Sequence, residues 1–201
     1  MSSVAIGDAF EARVFEALAE ELRNERLCVA PKHAKIFRKK AYHSRDRQAA
    51  ITTDMSIEVF LPDRERPTLV WVFECKDYTG RVPVDDIEEF HAKLQQIGED
   101  NTKGTFVTSG ALQRSALAYA GSKKIGVVRL LPSGQMIVLM ELLTVSSFAR
   151  VSQVDWSEFS VAFSEPGHRS RRGFFASDDG YWFPNWYSLL SHSIRDEKGA
   201  V

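Results

Sequence analysis

Apolar residues recur at helical spacing near the start of the chain. Phe10, Val14, Leu18 and Leu22 stand four apart with Phe15 beside them, which predicts a helix after Ile6. Asp8 near its start suits the positive end of a helix. Glu11 falls on the flank of the apolar stripe, either as a partly solvated edge residue or as an acid with a task. A basic strand is expected around 34–43. The rhythm then changes to period two in ITTDMSIEVFL, residues 51–61, where Met55, Ile57, Val59 and Leu61 alternate with Asp54, Ser56 and Glu58. LPDRERPT has turn chemistry, and TLVWVFECK reads as a second, more buried strand. A hairpin centred near Arg64 sets Asp54 opposite Glu74. Parity puts Glu74 and Lys76 on the face of Asp54, about 7 Å apart along the strand, with Cys75 turned to the other layer.

After Pro83, VDDIEEFHAKLQQIGE reads as a helix that starts near Asp85 and Asp86 and buries Ile87, Phe90, Leu94 and Ile97. A strand GTFVTSG, a helix ALQRSALAYAGSK and a strand IGVVRLL follow. The turn PSG at 132–134 then leads to a strand QMIVLMEL. Helix, three strands, helix, strand, helix, strand is the order of an α/β sandwich around a mixed sheet, core order αβββαβ. The pattern changes near residue 151. Beyond it lie isolated apolar stretches, a basic HRSRR at 168–172, and GFFASDDGYWFPNWYSLL, which resembles a hairpin turning at Asp178-Asp179-Gly180. We therefore expect a core over 1–150 and a small aromatic-rich C-terminal extension over 151–201, either a mini-core packed on the domain or a docking surface.

Composition narrows the class. With 201 residues, 44% of them apolar, the chain can bury a core without staples. Cys28 and Cys75 form no CxxC pair, so a disulfide framework and structural zinc are not expected, and a reducing cytoplasm fits. The first fifteen residues carry acids where a signal peptide would be apolar, and no run reaches membrane-span length, so no membrane association is expected. A net charge of −1 argues against a generally basic coat. Positive charge is nevertheless concentrated in residues 32–47, which hold seven Lys or Arg, among them Lys39, Lys40, Arg45 and Arg47. Such a cluster either meets phosphates or forms a solvated face.

Asp54, Glu74 and Lys76 together suit phosphodiester hydrolysis. Two carboxylates, joined by the backbone carbonyl of Cys75, can hold a Mg²⁺ ion that keeps several waters, with Mn²⁺ as a substitute. Lys76 would orient the attacking water or stabilise charge on the phosphorus. The Cys75 side chain is expected in the core. His91 reads as a partly buried helix residue, and Glu58 as a structural acid on the polar face of its strand.

Four pieces of residues 7–131 resemble the restriction-endonuclease-like superfamily, the PD-(D/E)xK nucleases, and in particular its Mrr-like branch. GDAFEARVFEAL is similar to the opening helix with its Phe-Glu pair, which matches Glu11. YHSRDRQAAITTDMSIEV resembles the approach to the metal-binding aspartate and matches Asp54. VWVFECKDYTGRVPVDDIEEFHAKLQQI matches the E-x-K strand and following helix, giving Glu74 and Lys76. GTFVTSGALQRSALAYAGSKKIGVVRL resembles the closing strand, helix and strand. The resemblance implies a restriction-endonuclease-like α/β/α sandwich and a Mg²⁺-dependent endonuclease acting on DNA, often in restriction or phage defence. It also implies polar groups near the phosphate on the helix after the motif, where Lys93 and Gln96 stand; an exposed helix face is the plainer reading of both. Thr53 replaces the proline that names the motif, and the last fifty residues match no part of the family pattern. A homodimer or a partner protein of a defence system fits double-strand cleavage, since one site cuts one strand. The competing readings are a catalytically inactive DNA-binding protein of the same fold and a subunit that docks onto another protein.

Overall fold

A computed structural model describes residues 3–98, 101–131, 156–170 and 173–195. The strand expected after the turn at 132–134 lies outside the described residues, as do the last two arginines of HRSRR.

The first helix, α1 (Ser3–Arg23), buries Phe10, Val14, Leu18 and Leu22, the stripe read from the sequence. It begins earlier than expected, so Asp8 lies in its second turn. The basic stretch is not one strand but two, β1 (Ala34–Arg38) and β2 (Ala41–Ser44). The stretch 51–61 is likewise divided into β3 (Ala49–Thr52) and β4 (Met55–Val59). The two breaks face each other: Lys39 N–H donates to Asp54 O at 2.9 Å, and Thr53 N–H to Lys40 O at 2.9 Å. Lys39 turns there with φ +53°. The chain thereby leaves the main sheet, forms the β2–β3 hairpin, and returns. Alternation alone reads through such a break, because a switch between sheets preserves the period.

β4 pairs antiparallel with β5 (Leu69–Lys76) in the register Met55↔Phe73 to Val59↔Leu69. Continued outward by one residue, this sets Asp54 across from Glu74. After a short β6 (Arg81–Val82), α2 (Val84–Ile97) buries Ile87, Phe90 and Leu94. Then come β7 (Thr102–Thr108), a short β8 (Ala111–Leu112) that pairs with β6, α3 (Arg114–Ser122) and β9 (Gly126–Leu130). β7 is parallel to both β5 and β9. A helix α4 (Trp156–Ser164), a hairpin of β10 (Phe174–Asp178) and β11 (Tyr181–Phe183), and a helix α5 (Trp186–Arg195) complete the described chain. β10 adds antiparallel to β9, so the main sheet runs β1-β4-β5-β7-β9-β10-β11.

Helices cover both faces of this sheet. Met55, Ile57, Trp71, Phe73 and Cys75 meet α1 and α5 on one face; Val70, Val72 and Phe106 meet α2, α3 and α4 on the other. Neither α4 nor α5 was expected. α5 did carry a signal: Asn185 Oδ1 accepts from Ser188 N–H at 2.9 Å as a helix cap, and Trp186, Leu189 and Leu190 recur at helical spacing behind it. Its clustered aromatics favour strand by propensity, which masks that spacing.

Close packing of α2 on β7 gives one stability prediction. A Cβ on Gly104 would stand 2.2 Å from Leu94 Cδ1 and 3.0 Å from Phe90 Cε1. Gly104→Ala is expected to cost about 1–3 kcal/mol, read as a lowered Tm in thermal melts. An unchanged Tm would mean that the Leu94 side chain turns aside and makes room for the methyl group.

Candidate active site

The carboxylates converge because β4 and β5 pair in the expected register and because the main chain grips one of them. Asp54, in the break between β3 and β4, accepts the Cys75 N–H through Oδ2 at 2.8 Å. Its Oδ1 lies 3.4 Å from Lys39 Nζ. Glu74, buried near the end of β5, receives Lys93 Nζ of α2 at 2.7 Å on Oε2. Burial, and after it the Asp54 charge, hold Glu74 above the ordinary glutamate value, while Lys93 and then Lys76 pull it back. A buried acid held above its ordinary value beside a second carboxylate marks a place where positive charge is wanted.

Glu11 comes from α1 on the far face. Its buried Oε2 lies 2.6 Å from Lys39 Nζ and 3.7 Å from Arg38, contacts held by charge and not by hydrogen-bond direction. Burial works against the Lys39 ammonium, but Glu11 and Asp54 outweigh it and hold its pKa above the usual lysine value. Lys76 is half-buried and its ammonium, among the described residues, makes no hydrogen bond or ion pair; it acts on Glu74 through charge at longer range. Glu11, Lys39, Asp54, Glu74, Lys93 and Lys76 therefore form one chain of interacting charges, three acids and three lysines, at the end of β5.

Other predicted residues lie apart from that chain. Lys40 is committed to Glu58 and sits 3.8 Å over the Phe37 ring. Tyr42 Oη donates to Glu58 at 2.9 Å and accepts from the Ser56 hydroxyl at 2.7 Å, so the polar face of β4 is a satisfied buried network under the β2–β3 hairpin. Arg45 and Arg47 are exposed at that hairpin's tip. Gln96 accepts from Ser44 Oγ at 3.0 Å and so ties α2 to β2. His91 Nδ1 lies 3.1 Å from Tyr119 Oη, against α3.

Sequence reasoning missed the clamp behind Lys76. Ser109 Oγ meets the Asp77 carboxylate and accepts the Tyr78 N–H at 2.9 Å, while Tyr78 Oη donates to Asp86 at 2.7 Å. Gly110 allows the close approach: a Cβ there would meet Gly80 O at 2.7 Å. Arg129, buried in β9, donates from Nε to Ser109 O at 3.1 Å and from its other nitrogens to Ala162 O, Glu165 O and Pro166 O at the end of α4. A lone arginine in a strand gives no local sign of such a role.

The Cys75 side chain lies in the core facing α1. Burial pushes its thiol well above the ordinary value and pushes Cys28 up to about 11. At pH 8 the folded protein is expected to react with an aromatic disulfide reagent about 100-fold more slowly than free cysteine, since the thiolate is the reactive form. Both thiols should titrate after denaturation; fast reaction of Cys75 in the folded state would contradict its burial.

A family model described as a restriction endonuclease, of the Mrr catalytic type, matches residues 8–140. The chain belongs to this family. Its mixed α/β architecture is that of the restriction-endonuclease-like fold. No curated protein matches. A solved structure described as a protein of unknown function, AF1548, superposes with a TM-score of 0.41 at 11% identity over 91% of this chain and 96% of that one. Members of the Mrr restriction-endonuclease family are nucleases that generally use divalent metals.

Among the described residues no three His, Cys, Asp or Glu side chains form a ready-made metal cage. The donor set still fits a hard divalent cation. Asp54 and Glu74 offer two carboxylates, which is the number Mg²⁺ commonly takes while it keeps several waters. No helix of the described residues is long and apolar enough to cross a membrane.

Proposed function

We propose that this member of the Mrr restriction-endonuclease family is a Mg²⁺-dependent DNA endonuclease of restriction or phage defence, working in the cytoplasm as a homodimer or with a defence partner. One observation carries the reading: Asp54 and Glu74 meet at the end of β5 beside Lys76, whose ammonium has no direct partner among the described residues. Asp54 and Glu74, with the backbone carbonyl of Cys75, would hold the cation, and Mn²⁺ would substitute for Mg²⁺. Bound there, a divalent cation would supply positive charge to the scissile phosphate and acidify an attacking water.

The chain's own residues supply the rest. The Cys75 N–H fixes one Asp54 oxygen and so orients the carboxylate. Lys93 balances Glu74. Lys76 is placed to orient the water or to stabilise charge on the phosphorus. Arg45 and Arg47 at the exposed hairpin tip, and the polar surface of α2 around Gln96, suit contacts to the DNA backbone, which position a duplex without reading it. In this reading residues 1–150 hold the nuclease and 151–201 form an extension that supplies β10 to the sheet.

A second reading has its own observation. Each carboxylate already lies beside a lysine, Lys39 at Asp54 and Lys93 at Glu74, as a site that binds DNA without turnover would also show. Incubation of supercoiled plasmid with the protein and Mg²⁺ or Mn²⁺ separates the two. Nicking or linearisation abolished by EDTA supports the nuclease. DNA binding without cleavage under either metal would favour the binding protein.

A further inference from the structure

Lys39 occupies a position that neither the motif nor the alternation of β1 explains. Its backbone is left-handed, with φ +53°, a conformation uncommon outside glycine. Such a turn persists where the surroundings hold it, and here two backbone hydrogen bonds do so, from Lys39 N–H to Asp54 O and from Thr53 N–H to Lys40 O. The turn sends consecutive lysines to different places. Lys40 goes to Glu58 and the Phe37 ring, whereas Lys39 reaches Glu11 Oε2 at 2.6 Å and Asp54 Oδ1 at 3.4 Å.

The two oxygens of Asp54 are therefore engaged differently. Oδ2 is held by the main chain through the Cys75 N–H. Oδ1 is held by a long, flexible, half-exposed side chain that can leave. Glu11 is the reason that Lys39 stays: it is buried, comes from another element, and has Arg38 at 3.7 Å as its second charge partner.

We propose that Lys39 is a resident cation of the site, bridging Glu11 and Asp54 until a divalent cation takes its place at Asp54 Oδ1. This rests on the reading of Asp54 as a cation ligand given above. Glu11 is then a positioning residue that acts through Lys39: it draws the ammonium toward α1 and keeps it from closing fully on Asp54. Lys39 sets how tightly the cation is held and steadies the two acids when the cation is absent. Its contribution to phosphate binding is secondary, because its charge is already spent on two carboxylates.

The test uses the full chain with Mn²⁺ as the probe, followed by calorimetry and by melting with and without the metal. Lys39→Met is expected to tighten Mn²⁺ binding about tenfold, the low end of what residues behind metal ligands change. It should lower Tm without metal yet enlarge the rise in Tm on Mn²⁺ addition, whereas a merely structural lysine would lower both melts alike. Glu11→Gln should weaken Mn²⁺ binding in the parent but change it less than about threefold in the Lys39→Met background, since its effect runs through the lysine. Should Lys39→Met fold poorly, Lys39→Gly accepts the left-handed turn and is expected to show the same tightening. Unchanged or weaker Mn²⁺ binding in a folded Lys39 variant, with the parent binding normally, would overturn this inference alone. No Mn²⁺ binding by the parent would overturn both it and the reading of Asp54 as a cation ligand.

Discussion

Replacing Lys76 by methionine is expected to lower metal-dependent plasmid cleavage about 10²–10³-fold, the usual loss for one well-placed electrostatic stabiliser. Folding should be spared, because the ammonium makes no hydrogen bond or ion pair among the described residues. Methionine keeps the length and apolar stem of the side chain. The informative control is Lys93→Met, since Lys93 touches Glu74 directly at 2.7 Å. Removing it leaves a buried carboxylate without its nearest counter-charge, so its main effect should be on stability without metal. Single-turnover cleavage and thermal melts on both variants decide the assignment. If Lys93→Met abolishes cleavage while Lys76→Met does not, the catalytic lysine is the one on α2.

The second large effect is on stability. Arg129→Met is expected to cost about 2–4 kcal/mol, because it removes the donor shared by four backbone carbonyls in a buried place. For a chain of this length that corresponds to a fall in Tm of roughly 5–15 °C. The guanidinium also lies where the end of α4 presents its carbonyls, a favourable place for positive charge. Burial lowers its pKa below the ordinary arginine value. Arg129→Lys keeps the charge but loses the fork of donors, and should fall between parent and methionine. Melting curves followed by circular dichroism would read the series. A methionine variant as stable as the parent would show that these carbonyls find water instead. Because Ser109 also clamps Asp77 and Tyr78 just after Lys76, the same substitution links the sequence beyond residue 151 to the end of β5.

Much of the core was legible in advance for a local reason. The α1 stripe, the β4–β5 hairpin and the α2 stripe each depend on period and turn chemistry within one or two elements. Once the hairpin is centred near Arg64, the register that brings Asp54 to Glu74 follows from counting, and parity sends Cys75 to the core. The break at 53–54 was not legible, because it arises from hydrogen bonds to residues 39 and 40 across the β2–β3 excursion. α4 and α5 escaped for a related reason: aromatic clustering hides periodicity, and only Asn185 marked a helix start.

The basic cluster shows the same division in the site. Seven cations in residues 32–47 are visible in the sequence as a charge density. The fold sorts them into separate roles: Lys39 bridges Glu11 and Asp54, Lys40 neutralises Glu58, and Arg45 and Arg47 remain at an exposed tip. Sequence by itself determined which acids and which lysine stand together where β4 begins and β5 ends, since pairing in a short hairpin is a matter of spacing. Only the tertiary structure decided which lysine serves which acid. That choice depends on a left-handed turn at Lys39 and on α1 and α2 docking on opposite faces of the sheet, and a charge's partner is set by distance in space, to which neighbouring residues carry no guide.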